Sequence, residues 1–326
     1  MEEKKSQLRV LELYSGIGGM HFALQKLNID FKVVLAVDIN PLANQIYNEN
    51  FGKIAKHYDI STLTKEQLDA LRCDLWTLSP SCQPYTRLGK QQGHADPRAA
   101  AFLHVLEILP TCSYKPKFIF IENVFGFETS WTAEKCREVL KASGYVFHEV
   151  LLSPFQIGIP NSRLRWYGLA RLKRDEIENS WNPKLSFPDK AETIRPINNY
   201  LDKEVNMEKH SVPVDILQKY GHQLDIVKPS DTHSCCFTRG YTHLVQGSGS
   251  VLQMSDHEDI KKAFLENRYD LCLRYFTVRE IARIMGFPEE FTWQASGASD
   301  KAMYRLLGNS INIHVVSALQ KELLMN

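Results

Sequence analysis

The chain has 326 residues, enough for one large domain and a smaller one. Its 44% hydrophobic and 24% charged content is ordinary for a soluble globular protein, and no apolar run approaches the roughly 18 residues needed to cross a membrane as a helix. A net charge of +1 points to no class of partner, since a nucleic-acid binder needs only a local cluster of basic residues. The charged start, MEEKKSQLRV, lacks the apolar core of a secretory signal. The protein is therefore expected inside the cell, in cytoplasm or nucleus, with its seven irregularly spaced cysteines reduced.

The first half alternates between short β-rich runs and helical patterns. LRVLELYSG reads as a strand ending at Gly16, and MHFALQKLNI follows with helical periodicity. FKVVLAVD is a second strand ending at Asp38, and PLANQIYNENF is a helix with Pro41 in its first turn. CDLWTLSP is a buried strand running into SPSCQPYTR. In DPRAAAFLHVLEIL, Asp96 is the expected N-cap, Pro97 the first helical residue and Pro110 the stop. KFIFIEN is the clearest buried strand, and AEKCREVLKASG is a helix ended by Gly144. This alternation gives an α/β fold with a mainly parallel sheet covered by helices on both faces.

After about Asn179 prolines, charges and weak periodicities take over as far as about Asn267, and helical signal returns at TVREIARIMGF and INIHVVSALQKELL. The expected division is a catalytic, cofactor-binding domain over 1–178, completed by 296–326. A smaller, irregular target-recognition domain and hinge then occupies 179–295. Two basic concentrations stand out: SRLRWYGLARLKR, with Arg163, Arg165 and Arg171, and RYFTVREIAR, with Arg274, Arg279 and Arg283. On charge alone both are expected to be solvated faces of their elements.

In open parallel sheets, ligands sit outside the carboxyl ends of the strands. Four features fall at such ends and are expected to converge on one crevice: Ser15 to Gly19, Asp38, Pro80 to Pro84, and Glu122 with Asn123. Gly16, Gly18 and Gly19 allow a tight turn close to a ligand, and an acid about 20 residues later suits ribose hydroxyls. A nucleoside-containing cofactor fits G-x-G-G better than a dinucleotide does, while a glycine turn without a ligand remains open. Cys82 is either a small core residue or a nucleophile. Its place beyond a strand end and the polar, lid-like stretch that follows it favour the nucleophile. A thiol with pKa about 8.5 needs nearby positive charge, for which Arg163 and Arg165 are candidates if PNSRLR folds back. Glu122 is either a carboxylate paired with an arginine or helix end, or a partly buried acid able to donate a proton.

These residues resemble the cytosine-5 methyltransferases that use S-adenosylmethionine. ELYSGIGG resembles the cofactor loop, SPSCQP the nucleophile loop, IENV the acid motif, QIGIPNSRLRW the arginine motif and RLLGNSIN the final cofactor-side motif. The five run in family order over most of the chain. Within the family, CFTRGYTHLVQGSGS resembles the DNA methyltransferase 2 branch, whose substrate class is tRNA. The resemblance implies a Rossmann-like methyltransferase acting as a monomer on tRNA in preference to DNA, with no membrane and no metal. It implies that the Cys82 thiolate adds to C6 of a cytosine, Glu122 serves N3, and Arg163 and Arg165 steady the base and the nucleophile loop. C5 then takes the methyl group, and loss of its proton releases the cysteine. The implied cofactor contacts come from Tyr14, Ser15, Gly16, Ile17, Gly18 and Gly19, and from Asp38 with Ile39 at the ribose. Asp59 with Ile60 would serve the adenine, and Ser79, Pro80, Asn309 and Ser310 would close the site.

The family usually has proline immediately before the nucleophile, where this chain has Ser81. Losing that restraint costs about 0.4–1 kcal/mol of chain entropy, and even if all of it appeared in the barrier the rate would fall less than about tenfold. Three other readings stay open: a DNA cytosine-5 methyltransferase, a cofactor-binding protein without turnover, and, more remotely, a nicotinamide dehydrogenase that leaves Cys82 and Glu122 without roles. A zinc site from His233, Cys235, Cys236 and His243 is possible on composition but has unconvincing spacing.

Overall fold

The computed structural model describes residues 7–80, 97–173, 181–255, 260–266 and 272–325. Ser81, Cys82, the lid-like stretch and the Asp96 cap lie outside them. Seven strands form the main sheet: β1 (Leu8–Leu13), β2 (Phe31–Asp38), β3 (Ala55–His57), β4 (Leu75–Leu78), β5 (Phe118–Val124), β6 (Tyr145–Leu152) and β7 (Arg165–Leu172). Their order is β3-β2-β1-β4-β5-β7-β6. The first five pair in parallel, and β7 runs antiparallel between β5 and β6. The fold is therefore α/β with a mainly parallel sheet, as the alternating pattern requires.

Helices α1 (Gly19–Gln25), α2 (Pro41–Phe51), α3 (Lys65–Leu71), α4 (Pro97–Ile108) and α5 (Trp131–Ala142) cover the two faces. Local chemistry sets their ends. The Asn40 side chain accepts from the Leu42 and Ala43 N–H groups, with Pro41 next in the first turn. Thr64 and Gln67 form a reciprocal capping box, and Gly144 at φ +90 ends α5. One apolar layer joins Val10, Phe22, Leu24, Ile46 and Tyr47, and the other joins Leu11, Leu68, Phe102, Leu106 and Leu140. Consecutive residues of β1 thus serve opposite layers, the period-2 consequence of a sheet buried on both faces.

The later elements are α6 (Met207–His210), α7 (Val214–Tyr220), α8 (Ile260–Leu265), α9 (Val278–Ile284), α10 (Asp300–Gly308) and α11 (Ile313–Met325). A small sheet, β8 (Ile226–Val227), β9 (Val251–Gln253) and β10 (Leu273–Tyr275), has the order β10-β9-β8. Val212, Leu217, Val251 and Leu273 make a minor core there, while Phe237, Tyr241, Leu252 and Phe276 belong to the same apolar cluster as Val10. Helix α11 packs on α1 and reaches β5 and β7.

The basic stretches are not the solvated faces that charge alone suggests. Arg163 is 4% and Arg274 1% exposed. Arg274 forms a two-pronged ion pair with Glu280, both contacts 2.8 Å, and Arg283 reaches Asp202 at 2.6 Å. A paired carboxylate makes burial of the Arg274 guanidinium tolerable, and composition cannot show a pairing. The same bias hid β7 from the sequence: it is framed by Arg165 and Arg171, so its buried middle does not read as an apolar run.

Candidate active site

The carboxyl ends of β1, β2, β4 and β5 and the start of β7 surround a cleft of about 320 Å³. After β1 the chain turns through Tyr14 at φ +60, Gly16 at φ +53 and Gly18 at φ +87. A Cβ on Gly16 would meet nothing within 4 Å, so its left-handed backbone, not crowding, calls for glycine. The opposite holds at Gly19, where a Cβ would fall 2.6 Å from the Ile311 side chain.

Asp38 ties this turn to the next one. Its Oδ2 accepts the Gly16 N–H at 2.9 Å and its Oδ1 the Asn40 N–H at 2.8 Å. Asn44, one turn into α2, donates to the Asp38 carbonyl at 2.8 Å. Burial raises the pKa of the Asp38 carboxyl, and the N–H groups of Asn40 and Gly16 work against that rise. Among the described residues the buried Ser15 hydroxyl has no hydrogen-bond partner, and Ile39 lines the cleft with 66% of its surface exposed.

At the other end of the cleft, Ser79 Oγ donates to Glu122 Oε2 at 2.5 Å, and Arg165 Nε stands 3.7 Å from Oε1. Strand register explains the second contact. Arg165 lies opposite Val124, and Val124 and Glu122, two apart on β5, share a face of the sheet. Asn123 Nδ2 donates to the Pro80 carbonyl at 3.4 Å. Glu122 and Asn123 therefore hold the last two described residues before Cys82.

Arg163 takes a different direction. Its Nη1 donates to the Phe237 carbonyl and to Cys236 Sγ, both 3.3 Å, while Nη2 donates to the carbonyls of Gly308, at 3.2 Å, and Ser310. Burial opposes ionisation of the Cys236 thiol, but the charges of Arg163 and Arg165 beside it bring its pKa below the usual thiol range. Cys235 is bonded instead through its N–H to Ser250 Oγ. Among the described residues no grouping of His, Cys, Asp and Glu is set to hold a metal, the His233–His243 segment included.

The cleft brings together Tyr14, Ser15, Gly16, Ile17, Gly19, Asp38, Ile39, Ser79, Pro80, Glu122, Arg163, Arg165, Asn309 and Ser310. Gly18 lies behind it as the N-cap of α1. Asp59 and Ile60 are not in its lining: Asp59 caps its own short turn, accepting from the Ser61 N–H and hydroxyl at 2.9 and 2.8 Å. Cys82 is outside the described residues. The site residues named from the sequence leave out Met20, Asn40, Ala43, Val124, Leu306, Gly308 and Ile311, which also line it. Asn40 was detectable as the cap before Pro41, and Val124, Leu306, Gly308 and Ile311 lie inside the IENV and RLLGNSIN motifs, but no local signal marks Met20 or Ala43.

One antiparallel strand inserted between parallel neighbours, with a glycine turn and strand-end carboxylates around a single cleft, defines an α/β methyltransferase fold. The C-5 cytosine-specific DNA methylase family matches residues 8–325, and the chain belongs to that family. It is 55% identical to the tRNA (cytosine(38)-C(5))-methyltransferase of Schizosaccharomyces pombe over 96% of each chain. It is also 36% identical to the Homo sapiens enzyme of the same name, over 96% of this chain and 98% of that one. The crystal structure of the S. pombe Dnmt2 methyltransferase superposes with a TM-score of 0.88 at 54% identity, covering 98% of both chains.

Proposed function

We propose that the protein is a tRNA cytosine-5 methyltransferase that uses S-adenosylmethionine and modifies the cytosine at position 38. The observation that carries this reading is the arrangement at the end of β5. A carboxylate held by Ser79 and Arg165 lines a cleft of about 320 Å³, beside the residues that lead into Cys82.

The cleft suits the cofactor. Each Asp38 oxygen has accepted one N–H and keeps a lone pair for ribose hydroxyls. The unpartnered Ser15 hydroxyl can take a polar group, and exposed Ile39 offers an apolar wall for a flat ring. Bound S-adenosylmethionine supplies an electrophilic methyl group on a sulfonium centre.

The protein's task is to make a poor carbon nucleophile reactive. Cys82 Sγ adds to C6, which turns the C4–C5–C6 portion of the ring enamine-like and places electron density on C5. Glu122 holds a proton at N3, offsetting the charge that develops on the ring. Arg165 fixes the carboxyl and, as the family resemblance implies, would steady the base. After C5 is methylated, loss of its proton expels the thiolate and restores the ring. The base must leave its stack first, which favours the unpaired bases of an RNA loop. In this reading, segments 1–178 and 296–326 carry the chemistry and 179–295 reads the target.

The family description names DNA, so the substrate is the point to test. Side-by-side transfer assays on tRNA and on duplex DNA are expected to label cytosine in tRNA, and Cys82→Ala to abolish labelling. Preferential labelling of DNA would replace the substrate, and full activity of Cys82→Ala would overturn the mechanism.

A further inference from the structure

The four acceptors of the Arg163 guanidinium divide between two segments about 70 residues apart in sequence. Cys236 and Phe237 belong to the CFTRG stretch of the target-reading region, and Gly308 and Ser310 flank Asn309 on the wall of the cofactor cleft. A guanidinium is a rigid planar fork, so a shift of one pair of acceptors is felt by the other. The side chain is buried, and releasing it from either pair would strand donors on a desolvated charge.

A second, independent feature joins the same segments. A Cβ on Gly308 would lie 2.2 Å from the Arg239 nitrogen and 2.3 Å from the Thr238 carbonyl carbon. Gly308 has no left-handed φ to explain it, so glycine is required there for backbone-to-backbone contact. The far end of the 308–311 segment rests on the cofactor turn. The position of a Gly19 Cβ would be 2.6 Å from Ile311 Cγ1 and 3.3 Å from Ser310 Oγ. A continuous path of contacts thus runs from the glycine turn through Ser310 and Ile311 to Arg163, and from Arg163 to Cys236 and Phe237. Phe237 is itself seated edge-on against Tyr241 and Phe276, each with ring centres 5.1 Å apart.

We propose that Arg163 is a positioning residue that couples the two binding events, so that an occupied cofactor cleft sets the CFTRG segment in its RNA-binding geometry. The proposal rests on the function proposed above. Coupling of this kind is reciprocal: cofactor tightens RNA binding by the same factor as RNA tightens cofactor binding, ordinarily about 5- to 150-fold.

The test is a thermodynamic cycle on the full chain, with S-adenosylhomocysteine and unmodified tRNA as probes. Each Kd is measured with and without a saturating amount of the other probe. The wild type is expected to show a coupling factor of at least about fivefold, and Arg163→Lys a factor near one. Gly308→Ala reaches the same junction from the other side, pushing Thr238 and Arg239 away without altering the guanidinium, and is expected to lose coupling too. A merely structural role would lower thermal stability yet leave the factor of the folded protein unchanged, and that result overturns the proposal. In the wild type alone, S-adenosylhomocysteine should slow amide exchange across residues 236–240, and absence of that protection also overturns it. If the wild type binds both probes without coupling, this proposal falls and the proposed function stands. If it binds neither, both fall.

Discussion

Glu12 lies on β1 directly behind the glycine turn, with Ala36 and Thr77 beside it on the neighbouring strands. It is fully buried, and among the described residues neither carboxyl oxygen meets a donor in hydrogen-bonding geometry. Burial pushes its pKa up from about 4.5 to about 8, against the smaller opposing influence of the Tyr47 hydroxyl. The folded protein therefore keeps a proton that the unfolded chain releases above about pH 4.5. Its contribution to stability is complete below that pH, declines as pH rises and is lost above about 8.

Buried His21 acts with the opposite sign: desolvation lowers its pKa to about 4, so its contribution grows as pH rises and is complete above about 6.5. Between pH 6.5 and 8 Glu12 acts without interference from His21. At 1.36 kcal/mol per pH unit it removes about 2 kcal/mol over that interval, a fall of a few degrees in Tm. Glu12→Gln keeps the shape and cannot ionise. Thermal unfolding at pH 6.5, 7, 7.5 and 8 should show a decline in the wild type that is absent from the variant. Parallel curves for the two proteins would refute the reasoning.

Ser79→Ala removes the 2.5 Å donor to Glu122, a charge-assisted bond worth about 1.5–3 kcal/mol. Single-turnover methylation should slow by about ten- to a hundredfold with the tRNA KM little changed, whereas a change in KM alone would mean that Ser79 serves binding. Arg274→Met leaves Glu280 buried and unpaired, which should cost about 3–5 kcal/mol in urea unfolding. Much of that should return in the double variant Arg274→Met/Glu280→Gln, which removes the charge but keeps an acceptor for the Asp202 and Thr277 N–H groups, and equal losses in both would contradict the ion-pair account. Ser81→Pro should change turnover by less than about tenfold in steady-state assays, and a larger gain would show that the loop restraint acts on chemistry, not only on chain entropy.

Much of the first half was legible because its signals are local. The helix read over PLANQIYNENF runs from Pro41 to Phe51 in the structure, where Asn40 and Pro41 declare its start. KFIFIEN reads as a buried strand because four apolar side chains in a row, Phe118 to Ile121, precede its acid, and it forms the body of β5. Family membership was legible in the ordered motifs from ELYSGIGG to RLLGNSIN, which depend on residue identity alone. β7 was not, because Arg165 and Arg171 at its ends mask a strand whose middle is buried.

By itself, the sequence determined the strand–helix alternation, the glycine turn followed by Asp38, and a family whose chemistry calls for a cysteine and an acid. Only the tertiary structure decided which groups meet. It put Ser79 on Glu122, Asn123 on Pro80, and one buried arginine between Cys236 and Ser310. It also separated two arginines of one motif, sending Arg165 towards Glu122 and Arg163 towards backbone carbonyls. The physical reason is that helix caps and strand periodicity act over a few residues. Hydrogen bonds between segments as far apart as 163 and 310 exist only once the sheet and α10 have brought them together.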